Sequence, residues 1–84
     1  TDPKLGWAQK NLSHAPVELN RADYQELLRV PGIGPVRARA ILAARRKNHL
    51  RTLNDLKALG VATGRAAPFV LLDGQRMASQ PRLF

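Results

Sequence analysis

The chain contains no cysteine, which excludes disulfide staples, thiolate catalysis, iron–sulfur ligation and cysteine-type zinc sites within it. Acidic residues are scarce: 6 Asp+Glu stand against 14 Lys+Arg, for a formal charge of +8. Aromatic residues make up 5% of the chain and hydrophobic residues 44%. That suffices for a small aliphatic core but not for the walls of a large enclosed substrate cavity. No apolar run approaches the ~20 residues of a membrane span, and no signal-peptide core is present. A cytoplasmic location without a membrane partner is therefore expected. His14 and His49 stand alone without ligand spacing, so no metal site is expected from them. The 84 residues make about one independently folded domain and are too few for two. The start at Thr1-Asp2 rather than Met is what a piece of a longer protein would show.

The positive charge is concentrated. Residues 1–20 are neutral overall, and residues 52–84 carry +2. Between them, residues 21–51 hold seven Arg and Lys47 against Asp23 and Glu26, a net +6. The excess is chiefly arginine, whose planar fork suits phosphate geometry better than the point charge of lysine. A polyanionic partner follows from this, unless the charges form only a solvated helix face.

The hydrophobic spacing is helical throughout. Asp2-Pro3 pairs an N-cap residue with a first-turn proline, predicting a helix over about 3–11 with Leu5, Ala8 and Leu12 on one face. Gly6 weakens it. Ser13 to Leu19, with Pro16, reads as an extended connector. Asn20 is expected to cap a second helix, with Asp23 in its first turn and Tyr24, Leu27 and Leu28 as its buried stripe. A third helix is predicted from Pro35 to about Lys47, placing Ala38, Ile41 and Leu42 on the core face and Arg39 and Arg46 to one side. Thr52, with Asp55 three residues on, has the spacing of a capping box for a fourth helix bearing Leu53, Leu56 and Leu59. A last short helix is expected near 63–71, limited by Pro68, and a flexible tail from 73 to 84. Phe69 and Val70 read as core. Trp7 reads as an anchor of the first helix rather than as a platform for an unpaired base. No segment alternates like a strand. The fold class is all-α, with four or five short helices in a domain spanning 1–72.

Two stretches align without gaps at an offset of 28 residues: Leu28 to Ala38 and Leu56 to Ala66. They share the Leu, a Gly (Gly32, Gly60), a β-branched residue after it (Ile33, Val61) and an Arg-Ala pair (Arg37-Ala38, Arg65-Ala66). Arg29 and Lys57 also correspond. Each copy reads as helix–turn–helix, so two helix pairs related by an approximate two-fold are expected.

The first copy carries the chemistry. Gly32-Ile33-Gly34 joins two helices through a tight turn, the glycines supplying backbone angles closed to other residues and Ile33 pointing inward. The helix that follows presents unpaired N–H groups and the positive end of its dipole, an anion site needing no catalytic residue. Pro35 has no N–H, so the expected donors are Ile33, Gly34 and Val36, with the Arg37 guanidinium beside them. Contacts of this kind go to the sugar–phosphate backbone and carry no sequence information.

The run Leu28 to Ile41 resembles the helix-hairpin-helix motif of non-sequence-specific DNA-binding proteins. The resemblance implies a phosphate grip at the Gly-Ile-Gly turn and a monovalent cation held by the turn's carbonyls; duplex DNA as partner and a monomeric domain are expected. The second copy departs from the pattern, with Ala62 at the second glycine position, and is expected to support the first rather than to grip. Over roughly residues 2–72, the chain resembles the C-terminal domain of DNA modification/repair radical SAM proteins. It does so through Asp2-Pro3-Lys4-Leu5, Trp7-Ala8, Pro16-Val17, Asn20-Arg21-Ala22, Ala43 to Arg46, Asp55-Leu56, Leu59-Gly60-Val61 and Arg65-Ala66. A parent of that kind would carry a 4Fe-4S cluster and SAM elsewhere; this stretch would hold no cofactor of its own. The lead-in Asn20 to Leu27 is also similar to the DNA-uptake (competence) receptor domain. A glycosylase of the hairpin family would place a catalytic Lys where Val36 stands, so no enzyme activity is expected here. The predicted DNA-binding set is Gly32, Ile33, Gly34, Val36 and Arg37, with Arg39, Arg46, Arg29 and Lys57 supplying the surrounding field. A protein-interaction module built on the same turn is the alternative.

Overall fold

A computed structural model of the chain describes residues 3–77. The expected cap at Asp2 and the stretch 78–84 of the expected tail lie outside the described residues. Helix α1 spans Pro3–Asn11 and buries Ala8, with Leu12 buried just beyond it. Trp7 is not the anchor the sequence suggests, because it remains 42% exposed.

Helix α2 spans Tyr24–Leu28, and its cap is Asp23, three residues later than the expected Asn20. The Asp23 carboxylate accepts from the Glu26 N–H (2.8 Å), and the Glu26 carboxylate accepts from the Asp23 N–H (2.9 Å). That reciprocal box satisfies two end donors at once. Asn20 serves elsewhere. Its side-chain Oδ1 accepts from the Leu50 N–H (2.8 Å) and its side-chain Nδ2 donates to the Leu50 carbonyl (2.9 Å), as a paired backbone would. The same amide reaches the Asp73 carboxylate at 3.1 Å.

Helix α3 spans Pro35–Ala44, ending short of Lys47. Helix α4, Leu53–Ala58, opens on the Thr52–Asp55 capping box that the spacing predicts. Helix α5, Thr63–Ala66, passes into a 3-10 turn at Ala67–Phe69, since Pro68 lacks the N–H that a longer helix needs.

The domain is mostly helical, with one feature the sequence does not announce. Strands β1 (Val17–Glu18), β2 (Val70–Leu72) and β3 (Gln75–Arg76) form a three-stranded sheet in that order. β1 pairs parallel to β2 with Val17 beside Val70, and β2 pairs antiparallel to β3 with Leu72 beside Gln75. The parallel pair clips the connector after α1 to the end of the helical region. Asp73-Gly74, where the sequence predicts the start of a flexible tail, is instead the turn of a β-hairpin, both residues at positive φ (51° and 82°). Glu18 closes this corner: its carboxylate accepts from the N–H groups of Asp73 (3.1 Å), Gly74 (2.7 Å) and Asn20 (3.0 Å).

The core is aliphatic. Leu19, Leu27, Val30, Ile33, Ile41 and Leu56 are fully buried at its centre, while Tyr24, Leu28, Leu42, Leu53 and Leu59 pack half-exposed around it. Phe69 and Val70 are buried as expected. Among the described residues no polar side chain is buried, so the acidic groups work at the surface as caps.

Asp55 shows this most directly. The N–H groups of Arg51 (2.8 Å) and Thr52 (3.1 Å) donate to its carboxylate. Those bonds hold its pKa below the ordinary value, with a smaller pull from the Arg51 charge. A depressed folded-state pKa stabilises above the unfolded carboxyl range and is lost as pH falls through the folded value. Thermal melts of the wild type and Asp55→Asn should therefore differ at neutral pH and converge as the buffer is taken toward pH ~2. Curves that stay parallel across this range would contradict the capping role.

Candidate nucleic-acid interface

The first turn is built from the core outward. Val30 and Ile33 are fully buried on either side of it, and the Ile33 N–H donates to the Val30 carbonyl at 3.0 Å. The chain reverses at Gly32, whose φ of +89° lies in the left-handed region. Gly34 differs from the expectation: at φ −100°, ψ −172° it is in ordinary extended backbone that any residue adopts. Only one of the two glycines is conformationally required.

Gly34 is the N-cap of α3, with no side-chain cap, and no acidic residue lies in the helix's first turn. The first bond of the helix runs from the Ala38 N–H to the Gly34 carbonyl, at 2.8 Å. The N–H groups of Gly34, Val36 and Arg37 consequently have no hydrogen-bond partner among the described residues. Of the three amides expected to be open, those of Gly34 and Val36 are unbonded and that of Ile33 is not. The Ile33 amide is consumed inside the turn, and the Arg37 amide is left unbonded beside the other two.

These residues line an open concavity of ≈ 450 Å³ together with Lys4, Gly32, Ile33, Gly60, Ala62 and Arg65. Both turns of the repeat meet there. Gly60 has φ +87°, matching Gly32 at +89°. Each glycine faces the arginine of the other copy: a Cβ built on Gly32 would stand 3.4 Å from the Arg65 Cβ, and one on Gly60 2.5 Å from the Arg37 Nε. The Arg37 Nε donates to the Gly60 carbonyl at 2.9 Å. Arg37 is thus a strut between the two turns as well as a wall of the concavity.

The four outlying predicted residues fall elsewhere. Arg29 lies over the Trp7 ring at 5.6 Å, and Arg39 over the Tyr24 ring at 5.4 Å. Arg46 is exposed beyond the end of α3, roughly 15 Å from the turn at 1.5 Å per helical residue. Lys57 is exposed in the last turn of α4. Arg45, next to Arg46 at the end of α3, holds the fold together, its Nη1 donating to the carbonyls of Leu19 (2.9 Å) and Ala22 (2.7 Å). Lys4 and Arg65 join the concavity although neither belongs to the predicted set. The repeat alignment holds a signal for Arg65, which corresponds to Arg37. No local pattern points to Lys4, which arrives from α1.

The helix-hairpin-helix motif family matches residues 13–61, more than half of the chain, and the chain belongs to that family. Motifs of this kind are commonly nucleic-acid binding and typically non-catalytic. The matched region includes the first turn and ends at Val61, within the second; α1 with Lys4, and α5 with Arg65, lie outside it. No curated protein and no solved structure matches the chain. Among the described residues, no helix is long and apolar enough to cross a membrane.

Proposed function

We propose that this domain binds duplex DNA through the sugar–phosphate backbone, without reading base sequence. The observation that carries the reading is the set of unbonded amides of Gly34, Val36 and Arg37 beside a concavity also lined by basic side chains. Amides at a helix start complement an oxyanion and distinguish no base. Val36, 65% exposed at the rim, offers an apolar contact to a sugar. In this reading the domain is the DNA-targeting module of a larger DNA modification or repair protein of the radical SAM kind, whose chemistry lies outside these residues.

The test is an amide-resolved NMR titration with a short random-sequence duplex at ~50 and ~200 mM salt. The largest shifts are expected at Gly34, Val36 and Arg37, fading at the higher salt. With roughly 3–4 phosphates neutralised, log K against log salt should slope about −3 to −3.5; a slope near zero would sink the proposal. A protein-interaction module is the second reading, and one observation favours it. A shallow, mainly apolar depression lies between α3 and α4, lined by Ala40, Ala43, Ala44, Leu50, Ala58 and Leu59 among others. Shifts absent from the turn at low salt would move the weight to that face.

A further inference from the structure

The Ile33 carbonyl, in the first turn, accepts a hydrogen bond from the Lys4 Nζ at 2.7 Å. The two residues are 29 apart in sequence, so α1 delivers a charged group to a hairpin to which it does not belong. Packing holds it there, since Ala8 and Leu12 seat α1 against the core. Both Lys4 and Ile33 line the concavity that contains Gly34 and Val36.

This placement conflicts with one expectation. The resemblance to helix-hairpin-helix turns implies a monovalent metal ion on the turn's carbonyls. A sodium or potassium ion on the Ile33 oxygen would need the space that the ammonium fills and would meet a like charge at contact distance. The residues present do not fit such an ion.

We propose that Lys4 is the chain's own cation at this turn, a tethered ammonium standing where a metal ion would otherwise be needed. The proposal rests on the DNA-backbone reading and names a binding residue outside the matched motif. Two consequences follow from its position. The fixed charge lies in the concavity assigned to the phosphate, and no ion must be captured from solution before DNA binds. The Ile33 carbonyl also belongs to the peptide unit that ends in the Gly34 N–H, so a cation on the oxygen polarises that N–H toward stronger donation. DNA affinity should then depend on ionic strength but not on which monovalent cation supplies it.

The experiment measures duplex affinity of the 84-residue chain by fluorescence anisotropy in sodium, potassium and tetramethylammonium chloride at one ionic strength. Wild-type Kd is expected to agree across the three within about twofold. Lys4→Met should bind about tenfold more weakly in tetramethylammonium, the scale of one charged hydrogen bond, and recover in part with sodium or potassium. Lys4→Gln keeps a donor for the Ile33 carbonyl without the charge and should behave like Lys4→Met, with melts confirming that both fold. A second arm omits DNA and replaces tetramethylammonium by potassium while the Gly34 amide is followed by NMR. That amide should shift saturably in Lys4→Met and stay still in the wild type. Wild-type affinity that changes with the cation, a saturable wild-type shift, or a Lys4→Met affinity equal to wild type in all three salts would overturn the proposal. If wild type binds no duplex in any salt, the DNA reading itself falls, and the amide arm alone decides whether Lys4 displaces the ion.

Discussion

Gly32→Ala is expected to lower the melting temperature by roughly 10–20 °C, the largest stability loss of any single methyl addition to the hairpin. Two causes add. Gly32 sits at φ +89°, where a residue with a Cβ costs about 1–3 kcal/mol. The new methyl would also stand 2.8 Å from the Ala62 carbonyl oxygen, a backbone atom of the partner turn that cannot rotate away. Against a total stability of about 5–15 kcal/mol, the loss is large. Gly60→Ala is the internal comparison. Its φ of +87° is nearly the same, but its Cβ would meet the Arg37 guanidinium, the far end of a flexible side chain. Gly60→Ala should therefore cost less, and the difference between the two melts reports the contact between the turns. Equal losses would mean that only the dihedral matters; a Gly32→Ala melt within a few degrees of wild type would contradict the turn geometry altogether.

The helical frame is legible because each helix announces itself within a few residues. Thr52-to-Asp55 spacing, Pro35 after a glycine, and the burial of Leu27, Ala38, Ile41 and Leu56 are local signals of period and capping, and the structure carries them. The sheet is not legible, for an equally local reason. Strands of two or three residues are too short to display alternation, and pairing of Val17 with Val70 is decided by the path of everything between them. Asn20 illustrates the same limit. Its type suits a helix cap, but Asp23 has the acidic partner three residues on that completes a box, and Asn20 is released to bridge Leu50 and Asp73.

The site divides along the same line. The turn from Gly32 to Arg37 is contiguous, so its residues can be read together. Arg29 and Arg39 share only their charge with it, and each instead lies over an aromatic ring that a charge count ignores. The repeat gives the second turn its place, since Gly60 repeats the backbone angle of Gly32. The exchange of Arg37 and Arg65 between the turns follows from their packing, which no linear spacing encodes. Lys4 is the extreme case, a residue whose position depends on where α1 docks.

Gly34→Val is the sharper test of function, because here fold and binding should separate. The position is extended, at φ −100°, and a Cβ built on it meets nothing within 4 Å among the described residues. The second copy offers a partial parallel: Ala62 stands at the corresponding position, though at ψ 87° rather than −172°, and the turn before it still forms with Gly60 at +87°. Any loss of cap preference on replacing glycine by valine is offset by the reduced freedom of the unfolded chain, so the melting temperature should move by no more than a few degrees. Duplex affinity should nevertheless fall about tenfold or more, since the branched side chain would stand over the amides of Gly34 and Val36 and keep a phosphate oxygen from hydrogen-bond distance. The salt slope should shrink by about 0.9, the share of one phosphate contact. A variant that binds as wild type does would show that arginine side chains, not the turn, hold the backbone. One that melts early would show that the second glycine serves the fold after all. Weak binding by a domain of unchanged stability is the outcome that assigns the empty space above Gly34 to the ligand.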